Sequence, residues 1–486
     1  MEKTRTSSCG VKYAIGLPLF IINYALLITF SACGVSKPIA KQAQQTVLAD
    51  SLLATAHIGI CVYDATDDKY LYNYQGNKYF IPASNAKIAT CYAAMKYLGD
   101  SLVGLRYQDF SDTAINIFAT GDPSFLHEDF KSQPVLNFLK NEKRAIYYSN
   151  GNWQENALGR GWSWDDYNDD YMVERSAFPV NANTVKIALK NKIYINQFAE
   201  KLDWQVSPSY FSPYIDSIFV MPLNDRVKFE FRDTSASKAF LSKFNIQRKL
   251  DGNELQTAAG STVFSKTEIP YHTNNSQTAI DILKTEYGLR KLKNGCLVDN
   301  SLYPDIPKHL FSHTIHSQPT DSLLKIMMHR SDNFYAEQSL LMVGNEHIGV
   351  MNDAKIIDTL LKTDYAAMPQ RPQWVDGSGL SRYNLFTPQD FVFILNKMRN
   401  EFNWNRITTI FSTGGDGTLG NYYKDLKGKI FAKTGSLSNN IALSGYLITQ
   451  KNKTLIFSVL VNNHTVSSAS VRKAVERFLT GVQHDN

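Results

Sequence analysis

Runs of β-forming residues stand at both ends of this 486-residue chain, and they constrain its fold more than any other feature. Near the start, HIGICVYDATDDKYLYNYQ holds two such runs around the polar turn Asp64–Asp68, which predicts a hairpin. Near the end lie three more runs: GKIFAKTGS, NIALSGYLITQ and KTLIFSVLVNN. An amphipathic helix with Ser467 or Ser468 as its N-cap closes the chain. This pattern predicts an α+β fold, with one antiparallel sheet assembled from both chain ends and flanked by helices.

The middle of the chain follows another pattern. Residues 106–270 contain short β-rich pieces separated by Gly, Pro, Asn and Asp, and helical periodicity returns only after about residue 271. The chain is also too long for one ordinary core. We therefore predict a first domain made of residues 51–105 and 271–486, interrupted by one or two β-rich inserted domains over 106–270.

The first fifty residues have the features of a targeting segment. Lys3, Arg5 and Lys12 precede a mostly apolar run, and the small residues around Cys33 follow it. Residues 1–33 resemble a bacterial lipoprotein signal peptide, with Cys33 as the lipidated residue and 34–50 as a polar tether. A transmembrane span and cleavage by an ordinary signal peptidase are the alternatives. All three predict export, to a periplasmic location with a membrane tether in the lipoprotein case.

Neither the charge nor the cysteine pattern suggests nucleic-acid or metal binding. The net charge of +6 is small for this length, and no basic run with interleaved aromatic residues suggests nucleic acid. Cys61 lies in a predicted strand and Cys91 in a predicted helix, so we expect buried thiols; Cys296 completes an odd set outside the leader. No His, Cys and carboxylate cluster has the spacing of a zinc site, and we predict neither metal nor cofactor.

Three short motifs indicate chemistry by their order. They are Ser84-x-x-Lys87 at the start of a predicted helix after a strand, Ser331-x-Asn333 in a helical region, and Lys433–Gly435 at the end of a strand. The first motif alone is uninformative, because the same spacing recurs at three other serines: Ser235, Ser322 and Ser470. The three in this order form the active-serine pattern of β-lactamases and penicillin-binding proteins.

The residue types suit acyl transfer. A serine hydroxyl needs a base within hydrogen-bond reach, and residues three apart share a helix face, so Lys87 can serve Ser84. Lysine is a base only when neutral, so its pKa must be lowered by burial or by a neighbouring cation such as Lys433. Ser331 can relay a proton to the leaving nitrogen, and Asn333 can hold Lys87 or a substrate amide.

The third motif suits substrate binding. Lys433 offers a cation to a terminal carboxylate, with the Thr434 hydroxyl beside it, and Gly435 lets substrate lie close to the strand. The backbone N–H groups of Ser84 and Ser436 are the predicted oxyanion hole.

The chain resembles the penicillin-binding protein 4-like D-alanyl-D-alanine carboxypeptidase/endopeptidases, which belong to the low-molecular-mass class C penicillin-binding proteins. These carry a large insert between the first two motifs, as the spacing from Ser84 to Ser331 requires. Further strings carry the resemblance: GDPSF, GWSWDD, RSDNFYAEQSL, VDGSGLSRYN, GGDGTL and AKTGSLSNNIALSGYL. It implies peptidoglycan stem peptides and cross-bridges as substrates, an acyl-enzyme on Ser84, and β-lactams as covalent inhibitors. It also suggests that Asp165 or Asp166 meets the free amine of diaminopimelate. For Asp376–Ser381 the sequence predicts only a tight turn.

Two other functions remain open from the sequence. A serine β-lactamase or esterase on the same scaffold would form the same acyl-enzyme and resolve it faster, but no deacylating glutamate is evident between the first two motifs. A catalytically inactive wall-binding lipoprotein is the second alternative, which the intact motif residues disfavour.

Overall fold

The computed structural model describes residues 37–196, 199–215, 219–220, 245–258, 266–295 and 313–485. The predictions for the leader, for Cys33 and for Cys296 lie outside these residues. Within them, no helix is both long and apolar enough to cross a bilayer.

The described elements have the following bounds. The strands are β1 His57–Asp64, β2 Lys69–Tyr74, β3 Ser101–Ser111, β4 Ala114–Ala119, β5 Ala145–Ser149, β6 Thr184–Asn196, β7 Ala199–Ser207, β8 Phe219–Val220, β9 Asn245–Arg248, β10 Leu255–Ala258, β11 Lys266–Pro270, β12 Leu292–Asn294, β13 His313–Pro319, β14 Ser412–Thr413, β15 Ile430–Leu437, β16 Asn440–Ile448 and β17 Thr454–Asn462. The helices are α1 Lys37–Ala43, α2 Lys87–Tyr97, α3 Pro134–Asn141, α4 Gln277–Tyr287, α5 Thr320–Arg330, α6 Asn333–Ile348, α7 Asp353–Lys362, α8 Pro388–Glu401, α9 Trp404–Ile410 and α10 Ser468–Asp485.

The predicted sheet from both chain ends is present. Among the described residues its order is β14-β15-β16-β17-β1-β2, and every pairing is antiparallel. β1 joins the two ends by pairing with β17, from His57 opposite Asn462 to Asp64 opposite Leu455. The predicted hairpin and the three C-terminal strands are therefore confirmed, and the Ser467 hydroxyl accepts a hydrogen bond from the Ser470 amide at the start of α10.

Both faces of this sheet are covered, which explains why its central strands are apolar on both sides. Ile60 and Val62 of β1 pack with α10 on one face, while Cys61 and Tyr63 pack with α2 and α8 on the other. Cys61 and Cys91 are buried free thiols, as predicted.

The insert packs around a second core, which also includes Leu341 of α6 and Met351. One sheet of the described residues has the order β12-β5-β4-β3-β13, another β11-β6-β7-β8, and β9 pairs with β10. α4 packs into this second core through Ile280, Ile282 and Leu283. The structure differs from the predicted boundaries at 105 and 270, because β3, α4, β12 and β13 pair or pack with the strands of the insert, which then runs from about Ser101 to Pro319. Returning helical periodicity marked a helix of the insert rather than its end.

The predicted tether is also different in the structure. From Lys37 the chain is helical through α1 and a following π-helical turn, Gln44–Leu48. Ile39, Ala43 and Val47 are fully buried in the core beneath α10. These small and aliphatic residues recur at spacings of four, which gives the segment an apolar face that its polar composition conceals.

Candidate active site

Ser84 lies in a short 3-10 turn, Ala83–Ala86, that leads directly into α2 at Lys87. The strand predicted just before it is absent: β2 ends at Tyr74, and only Phe80 makes an isolated bridge, to Phe386. Ser84 is half-buried and lines a cleft of about 570 Å³. The predicted nucleophile is therefore held by a turn and faces an open space.

Lys87 is fully buried, and its amine has three partners. Nζ lies 3.0 Å from Ser84 Oγ, 2.6 Å from Asn333 Oδ1 and 2.8 Å from the Ser378 carbonyl oxygen. Asn333 Nδ2 donates to the Tyr171 carbonyl, which fixes its oxygen toward the lysine. A neutral amine has two N–H donors and one lone pair. Asn333 and Ser378 present only acceptors, so the lone pair is left for the Ser84 hydroxyl proton.

Burial favours that neutral form. It lowers the pKa of Lys87 to about 8, although the carboxylates of Glu337, Asp376 and Asp332 act in the opposite direction. Burial is thus the main cause of the shift, and the expected contribution of Lys433 is not needed to account for it.

The second serine–lysine pair lies beside the first. Lys433 Nζ donates to Ser331 Oγ at 2.8 Å and to the Thr434 carbonyl oxygen at 2.7 Å. Ser331 joins α5 to α6 in the left-handed conformation, with a φ of 62°. Burial, and then the charge of Lys87, hold the pKa of Lys433 well below its usual range. The two motifs that the sequence separates by about a hundred residues therefore meet at one point.

Glycine is needed at position 435 for a different reason from the predicted one. A Cβ at this position would lie 2.7 Å from the Pro82 carbonyl oxygen and 3.1 Å from the Asn85 amide nitrogen. The glycine therefore lets β15 approach the turn that carries Ser84, rather than making room for substrate.

Thr434 and Ser436 flank that glycine. Thr434 is half-buried, and Ser436 is exposed with its hydroxyl accepting from Arg472 at 2.7 Å. Ser84 and Ser436 line the same cleft, as do Ser331 and Asn333. The oxyanion hole at the Ser84 and Ser436 amides stays a prediction.

The Asp376–Ser381 turn has a role that sequence reasoning missed. Asp376 is fully buried and accepts from the backbone amides of Gly379 at 2.8 Å and Ser381 at 2.6 Å. Gly379 has a φ of 82°, and a Cβ there would overlap the Ala83 carbonyl. The turn thus packs on the Ser84 turn and supplies the Ser378 carbonyl to Lys87. Its Asp-Gly-Ser-Gly sequence signalled the turn but not this partner.

Residues of the insert complete the cleft. Asp166 and Tyr171 line it, together with Arg382 from outside the insert. Asp165 is directed elsewhere and accepts from the Ser163 hydroxyl at 2.7 Å. Of the two candidate aspartates, only Asp166 lines the described cleft.

The fold and the paired serine–lysine geometry define a serine hydrolase of the penicillin-binding class. A family model described as D-Ala-D-Ala carboxypeptidase 3 (S13) matches residues 40–482. The chain belongs to this family and is a serine-type D-Ala-D-Ala carboxypeptidase.

Individual relatives are similar in sequence over most of the length of this chain. The D-alanyl-D-alanine carboxypeptidase DacB of Haemophilus influenzae is 24% identical, over 94% of this chain and 93% of its own. A D-alanyl-D-alanine carboxypeptidase of Actinomadura sp. strain R39 is 23% identical over 86% and 80%. The crystal structure of penicillin-binding protein 4 from Haemophilus influenzae superposes with a TM-score of 0.67, at 18% identity over 91% of this chain and 98% of that one. The same protein has been crystallised in complex with a β-lactam.

Proposed function

We propose that this chain cleaves D-Ala-D-Ala ends or D-Ala cross-bridges of peptidoglycan through an acyl-enzyme on Ser84. The observation that carries the proposal is the set of three partners around the buried Lys87 amine, which leaves its lone pair for the Ser84 proton. The serine oxygen attacks the carbonyl carbon of the penultimate D-Ala while Lys87 takes the proton.

Collapse of the tetrahedral intermediate needs a proton at the leaving nitrogen. Ser331, hydrogen-bonded to Lys433, faces the same cleft and is our candidate for that relay. The amides of Ser84 and Ser436 would stabilise the oxyanion, which is worth about 3 kcal/mol per donor. Water then hydrolyses the ester, with Lys87 as the base again.

Two features favour a peptide substrate with charged ends. Thr434 and the exposed Ser436, with Arg472 behind it, offer donors and positive charge to a terminal carboxylate. Asp166 is our candidate partner for the free amine of a diaminopimelate-type side chain, because it lines the cleft from the insert.

Fluorescent penicillin tests the acyl-enzyme. Wild-type protein should give a persistent labelled band on a denaturing gel, and Ser84→Ala should give none. Rapid β-lactam turnover without a band would favour the β-lactamase alternative, and neither labelling nor turnover would favour the inactive wall-binding protein. Digestion of purified cross-linked muropeptides then separates endopeptidase from carboxypeptidase activity.

We also propose that the protein is exported and anchored by a lipid on Cys33, with the enzyme facing the cell wall. The basic residues, apolar run and small residues before Cys33 support this location. Metabolic labelling with a fatty acid analogue should mark the wild-type protein and not Cys33→Ala. Equal labelling of the two would refute the anchor.

A further inference from the structure

A buried charge cluster connects the insert to α6, the helix whose first residue, Asn333, accepts a hydrogen bond from the catalytic lysine. Arg175 belongs to the insert, whose core includes the neighbouring residues Ala177 and Phe178. Its guanidinium lies 2.7 Å from Asp353 Oδ2 and 3.3 Å from both Glu337 Oε2 and Glu155 Oε1. Arg175 and Glu337 are each about 1% exposed. A buried ion pair of this kind is costly unless every partner is satisfied, so its presence beside the active site calls for a reason.

Glu337 reaches the site through the backbone of the Asp376–Ser381 turn. Its Oε1 accepts from the Ser378 amide at 2.7 Å, and the carbonyl of the same peptide unit, Gly377, accepts from the Thr90 hydroxyl at 2.7 Å. The next peptide unit has the Ser378 carbonyl on Lys87 and the Gly379 amide on Asp376. Two consecutive peptides are therefore held at both ends, with their carbonyls toward α2 and their N–H groups toward carboxylates.

The insert also contacts the carboxylate of Asp376. The Trp162 indole donates to Asp376 Oδ2 at 3.0 Å, and the Arg175 guanidinium lies over the Trp162 ring at 5.4 Å. Two insert side chains thus support the turn, one through each carboxylate.

We propose that Arg175 and Glu337 are positioning residues through which the insert sets the geometry and ionisation of Lys87. The proposal rests on the role of Lys87 as the base in the proposed function. Arg175 favours ionised Glu337; ionised Glu337 holds the Ser378 amide; and Ser378 orients the lysine amine so that its lone pair faces Ser84.

The charges around Glu337 predict the direction in which the pKa of Lys87 changes when Arg175 or Glu337 is replaced. Burial and Asp376 raise the pKa of Glu337 to about 7, Asp353 acts in the same sense, and Arg175 opposes them. Without Arg175, we expect Glu337 to remain protonated above pH 7. Its negative charge stabilises the Lys87 ammonium, as do those of Asp376 and Asp332. Losing either Arg175 or the Glu337 charge should therefore lower the pKa of Lys87 and also loosen its position.

The test compares Glu337→Gln and Arg175→Gln with Arg248→Gln. Arg248 is a matched control, because it is equally buried in the insert and pairs with Glu174 at 3.0 Å, and none of its contacts among the described residues is with the Asp376–Ser381 turn. The second-order rate of acylation by fluorescent penicillin is measured from pH 5 to 10. In Glu337→Gln and Arg175→Gln, the rising acidic limb of the plot of acylation rate against pH should move about one unit to lower pH. The plateau rate at high pH should fall about tenfold. Arg248→Gln should keep the wild-type limb.

Two results would overturn the inference: an unmoved limb in folded Glu337→Gln, or the same shift in Arg248→Gln. Arg175→Lys should restore part of the rate, and failure of that rescue alongside an intact fold would also count against it. Titration of Lys87 by NMR of protein with ¹³Cε-labelled lysine, assigned with Lys87→Arg, separates this inference from the proposed function. Its midpoint reports the effect of Glu337 even if no acyl-enzyme forms.

Discussion

Replacing Gly435 by alanine tests whether β15 must touch the turn that carries Ser84. The added Cβ would lie 2.7 Å from the Pro82 carbonyl oxygen, 3.1 Å from the Asn85 amide nitrogen and 3.1 Å from Ala442 Cβ. Carbon and oxygen in ordinary contact are about 3.3 Å apart or more, so the strand and the turn must separate by roughly half an ångström. Ser84 lies between Pro82 and Asn85 in the chain, so a movement of their backbone atoms would also move the nucleophile.

Both stability and rate should respond. Overpacking at a backbone contact costs about 1–3 kcal/mol of the free energy of unfolding. A displacement of the nucleophile by a large fraction of an ångström should lower the acylation rate constant by about 10- to 100-fold. The dissociation constant for penicillin before acylation should change little, because the methyl group points at the protein's own turn.

Rapid-mixing kinetics with a chromogenic or fluorescent penicillin separate the two constants. Gly420→Ala is the matched control: it lies in the same domain at a φ of −51°, and the nearest atom to its Cβ would be the Gly417 carbonyl oxygen at 3.2 Å. If Gly435→Ala instead keeps its stability and acylation rate constant while penicillin binds more weakly, then the glycine does serve the substrate, and our reading of the contact fails.

Two further predictions concern the base and its support. Because Lys87 is active only when neutral and its pKa is lowered to about 8, acylation should rise about tenfold per pH unit below pH 8 and level off above it; a limb centred near the ordinary lysine value of 10.5 would contradict this. Asp376→Ala leaves the buried amides of Gly379 and Ser381 without their acceptor, so denaturant titration should show a loss of about 3 kcal/mol. Its acylation rate should fall as well, and an unchanged rate would mean that the turn does not position Lys87.

Local patterns were enough to predict much of the molecule. The five strands from the two chain ends pair as expected, because alternating and continuous apolar runs report directly on sheet burial. The serine and lysine residues of the three motifs converge. Lys87 begins α2 and Ser331 joins α5 to α6, whereas Lys433 lies within β15, which continues to Leu437, rather than at the predicted strand end.

Long-range partners were not predictable in this way. From the sequence, Glu337 is indistinguishable from an ordinary residue of a helix, and Arg175 from a charged residue of a loop. In the structure the two side chains are buried as an ion pair. The Ser378 carbonyl reaches Lys87 across about 290 residues of sequence, and a backbone group leaves no signature in residue type. The insert boundaries differ between sequence and structure for a related reason: the periodicity of α4 reveals a buried face but not which of two cores buries it.

If Cys33 carries the proposed lipid, the early start of α1 limits how far the enzyme can stand from the membrane. Its first residue, Lys37, is already part of a helix whose Ile39 is fully buried in the body of the protein. A lipid on Cys33 would leave only three residues, 34–36, between the lipidated residue and that helix, so Cys33 and Lys37 could be at most about 14 Å apart. An enzyme anchored this closely would work on the peptidoglycan layer nearest the lipid surface, and strands farther out would have to come to it.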